Sequence, residues 1–243
     1  ERGARVAGLA LPPDPSPALF EQLELAGRID SRFGDIRDAA LVARTVEDLQ
    51  PDILFHLAAQ PLVRRSYREP LLTWETNVMG TANVLDALRH HGSSCTAVVA
   101  TTDKVYENWE WAYAYRETDR LGGHDPYSAS KAATELVVSS YRSSYFADGP
   151  IRIASARAGN VIGGGDWAED RILPDLMRGL AAGKRTAVRN PGSVRPWQHV
   201  LDPLHGYMTL AERIFTADAQ PSAWNFGPEP SDQRTVRDLV ETA

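Results

Sequence analysis

Residues 97–104 read AVVATTDK, an apolar run of strand length, 97–101, that passes directly into a polar turn, 102–104. An unbroken apolar run closed by turn chemistry marks a strand buried on both faces, as in a parallel sheet. Working outward, 70–91 and 126–146 have the length and pattern of helices, and 5–9, 29–33, 53–57 and 151–156 form further short apolar runs. Between two of them, 38–50 sets Val42, Val46 and Leu49 on one helical face. Strands alternating with helices predict an α/β fold built on a doubly wound parallel sheet over residues 1–156. From 157 to 243 the pattern loosens into Gly- and Pro-rich loops with shorter helices at 172–182 and 203–215. That half is expected to form a smaller C-terminal substrate lobe, interleaved with the first domain and ending inside a helix at Ala243. Residues 12–17 read as a surface loop, and no internal repeat is present.

Composition removes several classes of function. With 26 basic and 32 acidic residues the net charge of −6 offers no basic surface for nucleic acid. Cys95 is the only cysteine, so no intrachain disulfide forms, and the six histidines show no metal-ligand spacing. No apolar run approaches the ~20 residues of a membrane span. These features predict a cytoplasmic, metal-free protein with no nucleic-acid or membrane partner.

Tyr127 and Lys131 stand four apart near the start of the 126–146 helix, on one face. An ammonium beside a phenol favours phenolate, so such a pair can move a hydroxyl proton. The spacing alone is commonplace on solvated helices. It gains weight from composition: three lysines stand against 23 arginines, and two of the three are Lys131 and Lys104. Lys104 closes the run Thr101, Thr102, Asp103, Lys104 at the carboxyl end of a strand, where open α/β sheets bind their ligands. A capped turn explains these residues equally well when each is taken singly. Together with Tyr127, at the start of the next helix, they predict two segments meeting above the sheet.

The pattern TDK at 102–104 followed by DPYSASK at 125–131 resembles the extended short-chain dehydrogenase/reductases, and in particular the nucleotide-sugar 4,6-dehydratases. Further matching stretches are 56–67 (HLAAQPLVRRSY), 76–81 (TNVMGT), 107–117 (ENWEWAYAYRE), 157–167 (RAGNVIGGGDW) and 195–201 (RPWQHVL). Most dehydratases of this type carry Thr-Asp-Glu where this chain has Thr102, Asp103 and Lys104. The lysine, with the 107–117 and 195–201 stretches, is similar to the branch acting on CDP-glucose.

The resemblance implies a Rossmann-type sheet, bound NAD, a nucleotide-sugar substrate and pairing into a homodimer through the two long helices. Tyr127 is the expected base for the sugar 4-hydroxyl, with Lys131 on the nicotinamide ribose and Thr102 on the 4-oxygen. Asp103 is the acid expected at C6, and Lys104 is either a base at C5 or a cation that stabilises enolate charge. For the cofactor, Asp35 and Ile36 are expected near adenine, Leu57, Ala58 and Ala59 near the pyrophosphate and ribose, and Thr76 as a lesser contact. Gln60, Asn160, Arg171 and Arg195 are expected to line the sugar-nucleotide site. Asn77 can equally be a buried helix residue, and Trp109, Trp111 and Trp197 are either core or stacked on a base. The first strand and Gly-rich turn of a dinucleotide fold are not found, and residues 1–3 read as the tail of the helix that would follow them. Another nucleotide-sugar 4,6-dehydratase, a 4-epimerase, which shares Tyr127 and Lys131, or a non-catalytic fragment lacking the Gly-rich loop are the alternatives.

Overall fold

The computed structural model describes residues 3–14 and 18–242. The helix tail read at 1–3 and the tip of the 12–17 loop rest on residues outside these. In chain order come β1 (Ala7–Ala10), α1 (Leu19–Gln22), β2 (Asp30–Phe33), α2 (Ala39–Leu49) and β3 (Ile53–His56). Next are α3 (Val63–Arg68), α4 (Pro70–Trp74), α5 (Gly80–Arg89), β4 (Cys95–Ala100), α6 (Pro126–Ser144), β5 (Ile151–Ala158) and β6 (Asn160–Ile162). The remainder holds α7 (Ile172–Ala181), β7 (Val194–Arg195), β8 (Trp197–His199), α8 (Leu201–Phe215), β9 (Ala223–Phe226), β10 (Arg234–Thr235) and α9 (Val236–Thr242).

The main sheet runs in the order β3-β4-β5-β9, every pair parallel. β1 and β2 form a separate parallel pair. The expected parallel α/β architecture is present with its strands in two pieces, and among the described residues no strand joins β1 to β3. Two small ribbons, β6 with β8 and β10 with β7, lie beyond β5. β4 is the buried centre of the sheet: Ala97 and Val99 join the apolar cluster of α2, α5 and α6, while Val98 joins that of α8 on the other face. This two-sided cover is why 97–101 reads as continuously apolar. Leu85 and Leu88 of α5 are fully buried against Val42 and Val46 of α2, each burial contributing about 1.5–3 kcal/mol.

The predicted single helix over 70–91 is instead three pieces. Between α4 and α5 the residues Glu75–Met79 form a π-helical turn, a local widening that often accompanies functional sites. Asn77 sits in that turn, 1% exposed. Its side-chain oxygen accepts from Gln60 N at 2.8 Å, and its nitrogen donates to Gln60 O at 3.2 Å and to Ser130 Oγ at 2.8 Å. Of the two readings open for Asn77, the buried one holds: it ties the loop after β3 to α6. Nearby His56 bonds Thr81 Oγ1 at 2.9 Å, and burial pushes its pKa down to about 3, so it stays neutral.

Candidate active site

Two local structures set the site. At the end of β4 the chain enters a short 3₁₀ turn, Asp103–Val105, capped by Thr102. Thr102 Oγ1 accepts from Lys104 N at 3.3 Å and donates to Asp103 Oδ1 at 3.1 Å. The second structure is the start of α6. The Asp125 carboxylate accepts from Ser128 N at 3.0 Å and Ser128 Oγ at 2.6 Å, and Pro126 occupies the first turn. This N-cap fixes the helix start so that Tyr127 stands in its opening turn. Tyr127 N also donates to Ser66 Oγ of α3 at 3.1 Å.

Thr102, Lys104 and Tyr127 line one cleft of about 470 Å³, with Asn160, Arg171 and Arg195 on its other walls. Asp103 lies behind Thr102, against Gly159. A Cβ added at Gly159 would meet Asp103 Oδ2 at 3.2 Å and Pro196 Cγ at 2.6 Å, so only glycine allows the carboxyl this close to the cleft wall.

Electrostatics at the dyad differ from the expectation that Lys131 lowers the Tyr127 pKa. Burial pushes the Tyr127 phenol up to about 12. Hydrogen bonding with Thr102 and the charge of Arg171 pull it back only in part, while Asp103 adds to the rise. Lys131 is itself buried, and the same desolvation draws its ammonium down to about 8, against the attraction of Glu135. Its Nζ donates one bond, to Ala100 O at 3.0 Å. A buried ammonium has three hydrogens to place, so this one is shaped to hold further acceptors.

The remaining predicted residues divide by placement. Asn160 Oδ1 is buried without a hydrogen-bond partner and belongs to a residue lining the cleft, so it is an acceptor awaiting a donor. Arg171 pairs with Asp166 at 3.1 Å, and Arg195 donates to Val194 O at 3.0 Å. Gln60 is buried beside the cleft, not along it: its amide donates to Thr73 Oγ1 at 2.8 Å and accepts from Leu62 N at 2.7 Å, while Pro61 and Leu62 form the wall. Asp35 and Ile36 follow β2. The Asp35 carboxyl is held below its usual range by Arg37, 2.6 Å away, and Ile36 packs where any side chain on Gly80 would stand. Leu57 is exposed, with Ala58, Ala59 and Thr76 half-buried nearby in sequence or on the π turn.

Trp109 and Trp111 are neither core nor cleft residues. Both are exposed and stack on each other at 6.4 Å, with Trp111 extending the stack to Tyr115 at 5.5 Å. Trp197 does line the cleft. Sequence reasoning passed over a pair in the cleft lining: Arg64 of α3 reaches Asp170 at 2.6 Å. The only signal for it was the position of Arg64 inside the 56–67 stretch. Among the described residues no group of three or more His, Cys, Asp or Glu could hold a metal ion. No helix among them is long and apolar enough to cross a membrane.

A family model described as GDP-mannose 4,6 dehydratase matches residues 18–226. CDP-glucose 4,6-dehydratase of Salmonella typhimurium is 47% identical over 247 residues, which cover 99% of this chain and 69% of that protein. dTDP-glucose 4,6-dehydratase of Streptomyces griseus is 33% identical over 83% of this chain and 62% of its own length. Among solved structures, a dTDP-glucose 4,6-dehydratase of Streptomyces venezuelae with NAD bound superposes with a TM-score of 0.77 at 26% identity, covering 90% of this chain and 65% of that one. The chain thus spans less than two thirds of the latter two proteins. A UDP-glucose 4-epimerase of Thermotoga maritima shares the fold, with a TM-score of 0.82 at 22% identity. On the match of residues 18–226 and the identity to the Salmonella protein, the chain belongs to the GDP-mannose 4,6 dehydratase family of Rossmann-type enzymes.

Proposed function

We propose that the protein is an NAD-dependent lyase that converts CDP-glucose to CDP-4-keto-6-deoxyglucose and water. The observation that carries this reading is the line Tyr127, Thr102, Asp103: a phenol, a hydroxyl and a carboxyl linked in sequence beside one cleft. Dehydration across C5 and C6 after oxidation at C4 needs a proton taken at one end of the hexose and another delivered at the far end. The 47% identity to the Salmonella CDP-glucose enzyme supports cytosine as the base.

NAD, when bound, supplies a reversible hydride acceptor, so that the net reaction is a dehydration. The residues present fit it: Lys131 has ammonium hydrogens left for ribose hydroxyls, and Ala58 and Ala59 are small enough for close backbone approach. Asp35 and Ile36 would lie at the adenine, with Leu57 and Thr76 as flanking contacts. The chemistry of the chain's own groups is then ordered. Tyr127 takes the proton of the 4-hydroxyl while Thr102 holds the 4-oxygen. The resulting carbonyl acidifies C5. Lys104, exposed at the cleft, takes the C5 proton in its amine form, Asp103 gives its proton to the C6 hydroxyl as it leaves as water, and the hydride taken from C4 is returned to C6. Arg171 and Arg195 are suited to the pyrophosphate, Asn160 to a substrate donor, and Gln60 acts by fixing the Leu62 wall.

Incubation with CDP-glucose is expected to give a product lighter by one water that carries a 4-ketone. An isomer of unchanged mass, epimerised at C4, contradicts the reading and favours a 4-epimerase.

We further propose a homodimer. Leu71 of α4, Met79 of the π turn and Leu136 of α6 are exposed apolar side chains, and such patches mark association surfaces. A monomeric mass at micromolar concentration contradicts it. The lone Cys95 thiol, buried and pushed up to about 12, supports a reducing, cytoplasmic setting, which recovery of the protein from an oxidising compartment would contradict.

A further inference from the structure

One buried ion pair, outside the cleft and outside the residues assigned above, grips both flanks of the 102–104 turn. Glu135 lies on α6, one helical turn beyond Lys131 and two beyond Tyr127. Its side chain and that of Arg157 on β5 are 3% and 4% exposed and meet at 2.9 Å. The carboxylate accepts from Thr101 Oγ1 at 2.5 Å on one oxygen and from Ser155 Oγ at 2.6 Å on the other. Arg157 Nη1 donates to Tyr106 Oη at 2.8 Å and to Glu117 O at 3.0 Å, and the guanidinium lies 5.1 Å from the Tyr106 ring centre. Thr101 immediately precedes Thr102, and Tyr106 follows Lys104 by two. The turn bearing the acid and the helix bearing the base are thus fastened to a single pair of charges.

Stability alone is a poor reason for this arrangement, because a buried ion pair can often be replaced by apolar residues at no cost to folding. What apolar residues cannot supply is direction: Thr101, just after β4, and Ser155 and Arg157 of β5 all donate to a carboxylate carried by α6, which ties the residue before the turn to that helix. We propose that Glu135 and Arg157 are positioning residues that hold Thr102 and Asp103 in register with Tyr127 and Lys131. The inference rests on the reading of Tyr127 and Asp103 as base and acid. Because neither Glu135 nor Arg157 lines the cleft, their loss should leave substrate binding intact. It should slow the step that needs Asp103 and the hexose aligned.

The test uses the NAD-loaded protein and two kinds of variant. Thr101→Val cuts one link to the turn and Tyr106→Phe cuts the other, together with the bond that Tyr106 Oη donates to Asn225 Oδ1 at 2.6 Å, while the ion pair stays whole; Glu135→Met with Arg157→Met removes the pair without stranding a charge. In every folded variant, kcat for CDP-glucose should fall about 10- to 100-fold with KM close to the parent, since misplacement on the ångström scale costs up to about 10² in rate. The near-ultraviolet absorbance of reduced nicotinamide at steady state should rise, because elimination stalls after C4 is oxidised. A purely structural role would lower the amount of folded protein and leave that absorbance, per folded molecule, unmoved. If Thr101→Val and Tyr106→Phe both turn over at the parental rate while Tyr127→Phe and Asp103→Asn do not, the positioning role is wrong and the acid-base reading survives. If Tyr127→Phe and Asp103→Asn are themselves fully active, the underlying reading fails with it.

Discussion

Tyr127→Phe lowers kcat for CDP-glucose by about 10²–10⁴-fold, the usual contribution of one general base, with KM and folded stability near the parent. The ring is buried and remains so in phenylalanine, and the helix start is held by Asp125 and by the Tyr127 backbone nitrogen on Ser66, not by the phenol. Only the proton acceptor is lost. The size of the effect follows from the site: only the phenolate can take a proton, and burial makes that anion costly, with Thr102 and Arg171 offsetting part of the cost. The phenolate takes the 4-hydroxyl proton as hydride leaves C4, so with phenylalanine the reaction stops at its first step. No reduced nicotinamide should accumulate in this variant. Steady-state kinetics with product detection by mass checks the rate, and thermal unfolding checks the fold.

The second large effect falls on the other half of the reaction. Asp103→Asn should lower kcat by a similar factor of about 10²–10⁴ while C4 oxidation continues, so reduced nicotinamide builds up after mixing with substrate. Asparagine keeps an oxygen to accept from Thr102, and its size suits the space beside Gly159, so the turn should persist. What it lacks is a carboxyl proton to give the departing C6 hydroxyl. A stopped-flow trace showing no accumulation, with overall turnover unchanged, would remove Asp103 from the role of acid. The two variants therefore stall on opposite sides of the oxidised intermediate, a contrast that loss of folding in either could not produce.

Much of this site is local and so could be read along the chain. Strand 97–101 and its polar turn are consecutive residues, and Tyr127 and Lys131 share a face because a helix repeats every 3.6 residues. The caps at Asp38 and Asp125 place the helix starts within a residue of where the pattern put them. What could not be read depends on burial and on distant partners. Glu135, four beyond Lys131, looks like any solvated i,i+4 carboxylate until β5 covers it with Ser155 and Arg157. The rise of the Tyr127 pKa is hidden for the same reason: a neighbouring lysine is visible in the sequence, whereas the burial that raises the phenol is tertiary. The π turn at Glu75–Met79 hides within a strongly helical stretch. β7 and β10 span two residues each, too few for any alternation to register.

The most direct measurement of the central claim is the mass and NMR spectrum of the product formed from CDP-glucose carrying deuterium at C4. Tyr127 and Asp103 serving the two ends of one hexose predicts loss of one water with the deuterium found at C6. Deuterium still at C4 in a product of unchanged mass, or label lost to solvent, would contradict it.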